Sequence, residues 1–283
     1  MDNDETRFDR NERFFGREGQ KKIQKVKVLV IGAGGIGSHV IQQLALLGVI
    51  KLGINDDEDL SESNRNRYVT ARHDDPVPGS RKVQLAKRLV DSIDPQFEVE
   101  LFDGSIVSEE GFGAIKRADI VICCVDSDGV RYVVNEACLA YDKPLFDLAT
   151  DVPEPNRYGG RVAVVWDNGY CLHCRDLLDP EEVRRFLASD EARGNEAEIY
   201  GVDRAALGEK GPSVVSLNGV VASLGVTEFM VAVTGMRKPC SHLEYRAHMG
   251  VVTKPADPEK EGCHFCDSVK GAGDSANIKR YIK

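Results

Sequence analysis

The chain has 283 residues, 42% hydrophobic and 29% charged, and its 37 Lys and Arg against 46 Asp and Glu give a net charge of −9. That is globular composition, and the acidic balance argues against nucleic acid as a main partner: any bound anion must be held locally by a few placed cations and backbone N–H groups. MDNDETRFDR, at the start, is polar with no apolar signal core, and no stretch reads as approaching the roughly 20 apolar residues of a membrane span, so a cytoplasmic protein without a disulfide framework is expected.

KVKVLVIGAGGIGSHVIQQLALLGV reads as strand, glycine turn and helix. Residues 28–31 are short, branched and apolar, as in a strand buried on both faces. Val40, Leu44 and Leu47 then share one helical stripe, which Gly48 stops. KLGIND is a second strand ending in acid. GSRKVQLAKRLVDSIDP predicts a helix with Ser80 as candidate N-cap and Pro95 just past its end. FEVELF alternates as a strand, and ADIVICCVD is a further buried one, followed by a helix from about 130 to 141. KPLFDLAT and RVAVVW read as two more strands. Residues 180–212 are charged and glycine-dotted, with one short helix at PEEVRRFLAS and otherwise a mobile crossover loop. GPSVVSLNGVVASLGVTEFMVAVTG is an apolar helix between glycines, buried in the core or in a subunit interface. From Ser241 come short polar strands and loops, and the tail NIKRYIK is expected to be solvated.

This β-α-β-α alternation predicts an α/β fold: a doubly wound, mostly parallel, Rossmann-like sheet. The expected organisation is an N-terminal lead-in over 1–25, a nucleotide-binding core over 26–175, a crossover loop and apolar helix over 176–240, and a zinc-tethered C-terminal segment over 241–283.

Gly32, Gly34 and Gly37 satisfy G-x-G-x-x-G between a strand and a helix, where phosphates approach helix N-terminal N–H groups closely. Asp56 or Asp57, about 20 residues on, is placed to bind ribose hydroxyls. Taken this far, a nicotinamide or flavin oxidoreductase fits equally well. Gly35 is one glycine more than that chemistry asks for. ESNRNR, at 62–67, changes the balance. Arg67 suits phosphate oxygens in fork geometry, and Asn64 can donate amide hydrogens. Lys82 adds a point charge near a helix start, and Asp126, ending a parallel strand, can hold Mg²⁺ beside a triphosphate. Together these favour a nucleoside triphosphate over a dinucleotide.

At these residues the sequence resembles the ubiquitin-activating-enzyme-like adenylyltransferases, the ThiF/MoeB/HesA group. RFDRNERFFGREGQKKI, GAGGIGS, NDDEDLSESNRNR, GSRK, DSDGVRYVVN and paired C-x-x-C motifs follow the family's order over nearly the whole chain. The resemblance implies ATP as substrate. It implies Asp56 on the ribose, Glu58 at the family's second acidic position, Asn64, Arg67 and Lys82 on the phosphates, and Asp126 on Mg²⁺. Gly32, Gly34, Gly35 and Gly37 would form the nucleotide turn. Arg10 matches an arginine that family members insert into a neighbouring subunit's site, which implies a homodimer. Arg65 and Tyr68 depart from the family's Leu and Gln. The implied reaction is adenylation of a carboxylate, with Arg67, Lys82 and Arg10 neutralising charge and Asp126 acting through the Mg²⁺ it would hold. The implied partner is a small ubiquitin-like or sulfur-carrier protein with a flexible tail; the alternatives are a short peptide or a modified tRNA base. A non-catalytic scaffold is the remaining class, which loss of Arg67 or Asp126 would have supported.

Cys171-x-x-Cys174 and Cys263-x-x-Cys266 offer four thiolates, the ligand set of a structural Zn²⁺. His173 and His264 are read as bystanders. Cys123, Cys124 and Cys138 read as small core residues. Residues 175–239 contain no cysteine, so a crossover-loop thioester is not expected, and Cys240 is not expected to be a nucleophile.

Overall fold

The computed structural model describes residues 6–154, 156–167, 169–188, 213–258 and 262–282; most of the expected crossover loop, at 189–212, lies outside the described residues. Eight strands form one sheet in the order β3-β2-β1-β4-β5-β6-β7-β8. They are β1 (Lys27–Ile31), β2 (Lys51–Asp56), β3 (Glu98–Asp103), β4 (Ile120–Cys123), β5 (Leu145–Glu154), β6 (Arg157–Val165), β7 (His242–Arg246) and β8 (Val251–Thr253). β3, β2, β1, β4 and β5 pair in parallel, while β6, β7 and β8 add on antiparallel. The strand order reverses between β1 and β4, and ligands of open α/β sheets bind at the carboxyl ends of strands at such a point.

Helices α1 (Asp9–Lys25), α2 (Gly35–Leu47), α3 (Lys82–Ile93), α4 (Glu109–Arg117), α5 (Asp128–Ala140), α6 (Pro180–Leu187) and α7 (Val215–Thr234) cover both faces. In β1, Leu29 and Ile31 pack with Phe112 and Ile115 of α4 and Val133 and Val134 of α5. Val28 and Val30 point the other way, among Val40 and Leu44 of α2, Val83 of α3 and Phe229 of α7. Two buried faces explain why the strand is an unbroken apolar run.

Helix α4 was not expected from sequence. Gly111 and Gly113 dilute its apolar stripe, and its start depends on the Ser108 hydroxyl accepting from Gly111 N at 3.0 Å. Ser80 does not cap α3. Its carbonyl accepts from Leu60 N at 2.8 Å and the next residues bridge Asp59 to Arg81, so the chain is still extended there. The N-cap is Arg81, without a side-chain bond.

Helix α7 corrects the expectation that no stretch approaches a membrane span: its 20 residues are long and apolar enough by length and composition alone. It is packed as a core helix. Val221, Ala222, Val226 and Phe229 are buried, and Phe229 meets Phe146 edge-on at 6.2 Å. Its buried Glu228 takes Arg237 in a fork at 2.6 and 2.7 Å and the Cys240 N–H at 2.7 Å, which fixes the turn into β7.

The C-terminal tail is also not solvated. Ile278 is buried in the α4–α5 core. Arg280 Nη2 and the Tyr281 hydroxyl donate to the two oxygens of Glu136, a fully buried α5 carboxylate, at 2.5 and 2.6 Å. Arg280 and Tyr281 looked like surface because their partner lies 144 and 145 positions away. Arg280→Met would leave one Glu136 oxygen without its charged donor and should cost about 1–3 kcal/mol. Urea unfolding of the variant beside Tyr281→Phe checks this; an unchanged midpoint for both would mean that the tail is not docked.

Candidate functional site

The glycine turn joins β1 to α2 at the carboxyl rim of the sheet. Gly32 has φ +84°, and a Cβ there would stand 3.0 Å from the Cys124 carbonyl and from Val125 N, so β4's exit passes directly beneath it. A Cβ on Gly37 would lie 1.8 Å from the Gly32 carbonyl oxygen, because the turn and the first turn of α2 touch backbone to backbone. Gly34 caps α2 without a side chain, and a Cβ on it would meet nothing within 4 Å. The N–H groups of α2 therefore end in open space, with no acidic residue in the first turn to occupy them, a fit for phosphate oxygens.

Gly35, the surplus glycine of the sequence, has a local cause. A Cβ there would be 2.4 Å from Asn218 Nδ2 and 3.4 Å from Arg67 Cδ. Asn218 is fully buried in the first turn of α7, donates to the Ser213 hydroxyl at 3.1 Å, and accepts from Thr150 Oγ1 at 3.2 Å. It thus links the helix after the crossover segment to the middle of β5 and to the turn. Nothing in sequence spacing pointed to Asn218 or Thr150, since the three segments are remote along the chain.

Asp56 ends β2 beside the turn. Its two oxygens accept from Ala33 N at 2.8 Å and Glu58 N at 2.9 Å. Burial pushes this carboxyl up, against the pull of nearby Lys82 and of those two N–H groups. Asp57 is exposed, and its carbonyl takes Arg81 Nη2 at 3.0 Å. Asp56 is therefore the residue that faces the turn. The Lys82 side chain, buried at the start of α3, donates to Glu58. Asp59 instead takes Arg81 at 3.0 Å, so the two neighbouring acids are sorted to different cations.

The ESNRNR loop divides its labour. Arg65 Nη1 and Nη2 donate to the Arg72 and Asp75 carbonyls at 2.6 and 2.7 Å, a structural clasp. Arg67, half-buried, reaches the Gly35 side of the turn while its Nη1 rests on the Ser63 carbonyl at 2.5 Å and Asn66 Oδ1 at 3.0 Å. Asn64 Oδ1 accepts from Ser61 N at 3.1 Å, which closes the short helical turn Glu62–Asn64 just before Arg65 and Arg67. Tyr68 is buried, and its hydroxyl donates to the Lys82 carbonyl at 2.7 Å, tying this loop to α3.

Asp126 is exposed just past β4, two residues before α5 begins. Beneath it lies a buried network. Arg131 of α5 donates to the Val125 carbonyl at 2.5 Å and pairs with Asp128 at 2.8 Å and with the fully buried Asp147 of β5 at 3.2 Å. Burial alone would lower the pKa of that guanidinium, but Asp147, with Cys123 and Asp128, outweighs it and pushes the pKa up. Burial, reinforced by Asp147, pushes the Cys123 thiol up to about 12, in keeping with a core residue. Both Arg131 and Asn135 stand in DSDGVRYVVN, and Asp147 is the lone acid of KPLFDLAT; a carboxylate in an apolar strand was the available signal. Above the rim, Glu182 of α6 accepts from Asp128 N at 2.8 Å.

Arg10 is exposed on α1, and none of its described contacts joins it to this rim. Cys240 lies before β7, whose start pairs with Ala163 near the end of antiparallel β6. That is the end of the sheet opposite the glycine turn.

The four remaining cysteines converge. Cys171 Sγ is 3.6 Å from Cys174 and 3.8 Å from Cys263, and Cys174 is 3.5 Å from Cys266. All four sulfurs lie within 4.8 Å of one another. A tetrahedron with Zn–S near 2.3 Å has sulfur–sulfur edges of about 3.8 Å, so the set fits Zn²⁺. Asn135 Oδ1 accepts from Leu172 N at 3.1 Å and anchors this knot to α5.

Residues 8–273 match the ThiF family. An adenylyltransferase and sulfurtransferase, UBA4, of Candida albicans is 33% identical over 132 residues, 47% of this chain and 30% of that protein. The chain thus spans about a third of the length of such curated relatives. A sulfur carrier protein adenylyltransferase of Thermus thermophilus is 28% identical over 230 residues, 79% of this chain and 75% of that protein. The crystal structure of E. coli MccB with ATP superposes with a TM-score of 0.72 at 18% identity, covering 94% of this chain and 75% of that one, a likeness of fold.

Gly35→Ala should displace Asn218, and Asn218→Ala should relieve the clash. A double-mutant cycle by thermal or urea unfolding should therefore be non-additive by about 0.5–3 kcal/mol; strict additivity would place the two residues apart. A second expectation concerns pH. Arg88, hydrogen-bonded at 2.5 and 2.8 Å, holds Asp75 down at about 2 against an ordinary 3.8, so this pair's stabilisation is complete above that ordinary value and lost as pH falls through the lower one. Arg88→Met should unfold at higher pH than the parent in an acid titration followed by circular dichroism.

Proposed function

Because the chain belongs to the ThiF family, we propose that it is an ATP-dependent adenylyltransferase that activates the C-terminal carboxylate of a small ubiquitin-like or sulfur-carrier protein. The observation that carries the reading is one rim of one sheet. The open glycine turn, Asp56 at the end of β2, Arg67 in the loop that follows, Lys82 at the start of α3 and Asp126 just past β4 surround it. The relative from T. thermophilus, named for a sulfur carrier protein and matched across 79% of this chain, supports the substrate class.

In this reading a carboxylate oxygen of the tail attacks the α-phosphorus of ATP, the bond to the β-phosphate bridge breaks, and pyrophosphate leaves. The nucleophile is already ionised at neutral pH, so no general base is required, and catalysis reduces to alignment and charge neutralisation. Asp56 would accept from ribose hydroxyls while its bonds to Ala33 and Glu58 hold it in place. Gly32, Gly34, Gly35 and Gly37 let the α2 N–H groups approach the phosphates, with Asn64 beside them. Arg67 and Lys82 would neutralise phosphate charge, Lys82 exchanging part of its pairing with Glu58. Asp126 would hold Mg²⁺, which supplies further neutralisation when bound with the nucleotide. Arg10, exposed on α1, would reach the site of a second copy in a cytoplasmic homodimer. The described residues offer no cysteine at this rim besides the buried Cys123 and Cys124, so the acyl-adenylate would pass to a separate thiol or amine.

The test is ATP–pyrophosphate exchange against a panel of small carrier proteins with Gly-Gly tails and, separately, short peptides. Exchange that requires carrier and Mg²⁺ and falls by about 100-fold or more in Asp126→Ala is expected. Exchange with peptides alone would move the substrate class to peptides, as for the MccB solved with N-formylated MccA. No exchange with any member, alongside tight nicotinamide or flavin binding, would sink the reading.

A further inference from the structure

Helix α6 lies against the first turn of α5, and the two helix starts cap one another. Asp128, the first residue of α5, donates its N–H to Glu182 Oε1 at 2.8 Å, and its own Oδ2 accepts from Asp179 N at 2.8 Å. Asp179 is the N-cap of α6, where its Oδ1 accepts from Glu181 N at 2.8 Å and from Glu182 N at 3.3 Å. Each helix thus fills an N–H that the other leaves open. Apolar contact continues the interlock. Gly129 is buried, and a Cβ there would stand 2.2 Å from Phe186 Cβ and 2.3 Å from its Cγ, so α6 seats where only glycine leaves room. A helix of 8 residues is too short to persist alone, and Val183 is its one fully buried side chain, so α6 owes its place to these contacts.

The interlock falls on the turn that carries Asp126. Residues 124–127 join β4 to α5. On one side of Asp126, the Val125 carbonyl accepts from Arg131 Nη2 at 2.5 Å. On the other, Asp128 takes Arg131 Nη1 at 2.8 Å and both bonds from α6. Arg131 serves both sides from within α5, whereas α6 is a separate element that grips the far end of the turn.

We propose that α6 is a clamp on the Asp126 turn, and that Glu182 and Asp128 are positioning residues that hold the Asp126 carboxylate in place for the metal accompanying the nucleotide; this rests on the role given to Asp126 above. Outer groups of this kind orient metal-binding side chains elsewhere. Glu182 acts through the backbone of Asp128 and not through its charge. A backbone N–H needs only an acceptor oxygen, which a glutamine side chain also offers.

The full-length protein serves for the test, with Glu182→Ala, Glu182→Gln, Gly129→Ala and Asp126→Ala. Amide hydrogen exchange over 124–130 is read on the protein alone. Mn²⁺ bound to the protein–ATP complex is read by electron paramagnetic resonance. Glu182→Ala should speed exchange over 124–130, leave 134–140 as in the parent, and weaken Mn²⁺ binding by about 10-fold or more. Glu182→Gln should stay within about 3-fold of the parent, short of that outer-group range. Gly129→Ala should match Glu182→Ala with the carboxylate intact, because it drives Phe186 off, although alanine is the better helix former. Parental Mn²⁺ binding in Glu182→Ala refutes the clamp whatever its amide exchange, as does Glu182→Gln as damaged as Glu182→Ala. Should Gly129→Ala fail to fold, the two Glu182 variants decide alone. Asp126→Ala separates this failure from that of the underlying reading: if it binds Mn²⁺ with ATP as the parent does, the role of Asp126 fails and the clamp falls with it.

Discussion

The Asp56 carboxylate is the constraint on which the candidate site depends. It stands at the end of β2 and takes the Ala33 N–H from the turn after β1 and the Glu58 N–H from its own loop. With both oxygens engaged, it sets the spacing between the glycine turn and the acidic segment that receives Lys82 and Arg81. A short apolar strand on either side gives this rim its rigidity, because β1 and β2 are registered from Lys27 with Lys51 to Ile31 with Asn55. The loops can therefore be polar and irregular while their functional atoms stay fixed.

Buried charges do the remaining joining. Arg131 with Asp147, Arg280 with Glu136 and Arg237 with Glu228 each pair residues on different elements, and each includes a carboxylate with almost no exposure. Such pairs add little net stability compared with apolar packing, but removing one partner strands the other. They act as position markers. The first fixes β4's exit beneath Asp126, the second docks the tail on α5, and the third sets the turn from α7 into β7.

The apolar helix α7 connects these ideas. Its C-terminal half fills the core beside Phe146, whereas Asn218 in its first turn reaches the rim that carries the glycine turn. The helix is nearly uniformly apolar, so its role in the core was readable, but the polar residue that matters is fully buried and bound to Thr150 and Ser213. Gly35 is glycine for that reason, and the extra glycine in the turn reflects packing against α7.

Local pattern determined a large share of this protein. The strand–turn–helix at 27–47, the strand ending in Asp56 and the paired C-x-x-C motifs all follow from periodicity and from residue types that only a few chemistries require, and the elements stand where those patterns put them. The short helix α4 starts on the local Ser108 cap, but the extended backbone at Ser80 and the docked tail were decided by contacts with residues far along the chain: Leu60 for Ser80, and Glu136 for Arg280 and Tyr281. The same holds for Asn218 and Asp147. A sequence displays period and composition, which govern which face of an element is apolar. It does not display which buried polar group meets which, because that depends on the crossing of elements in space, and only the assembled sheet brings those partners within hydrogen-bond reach.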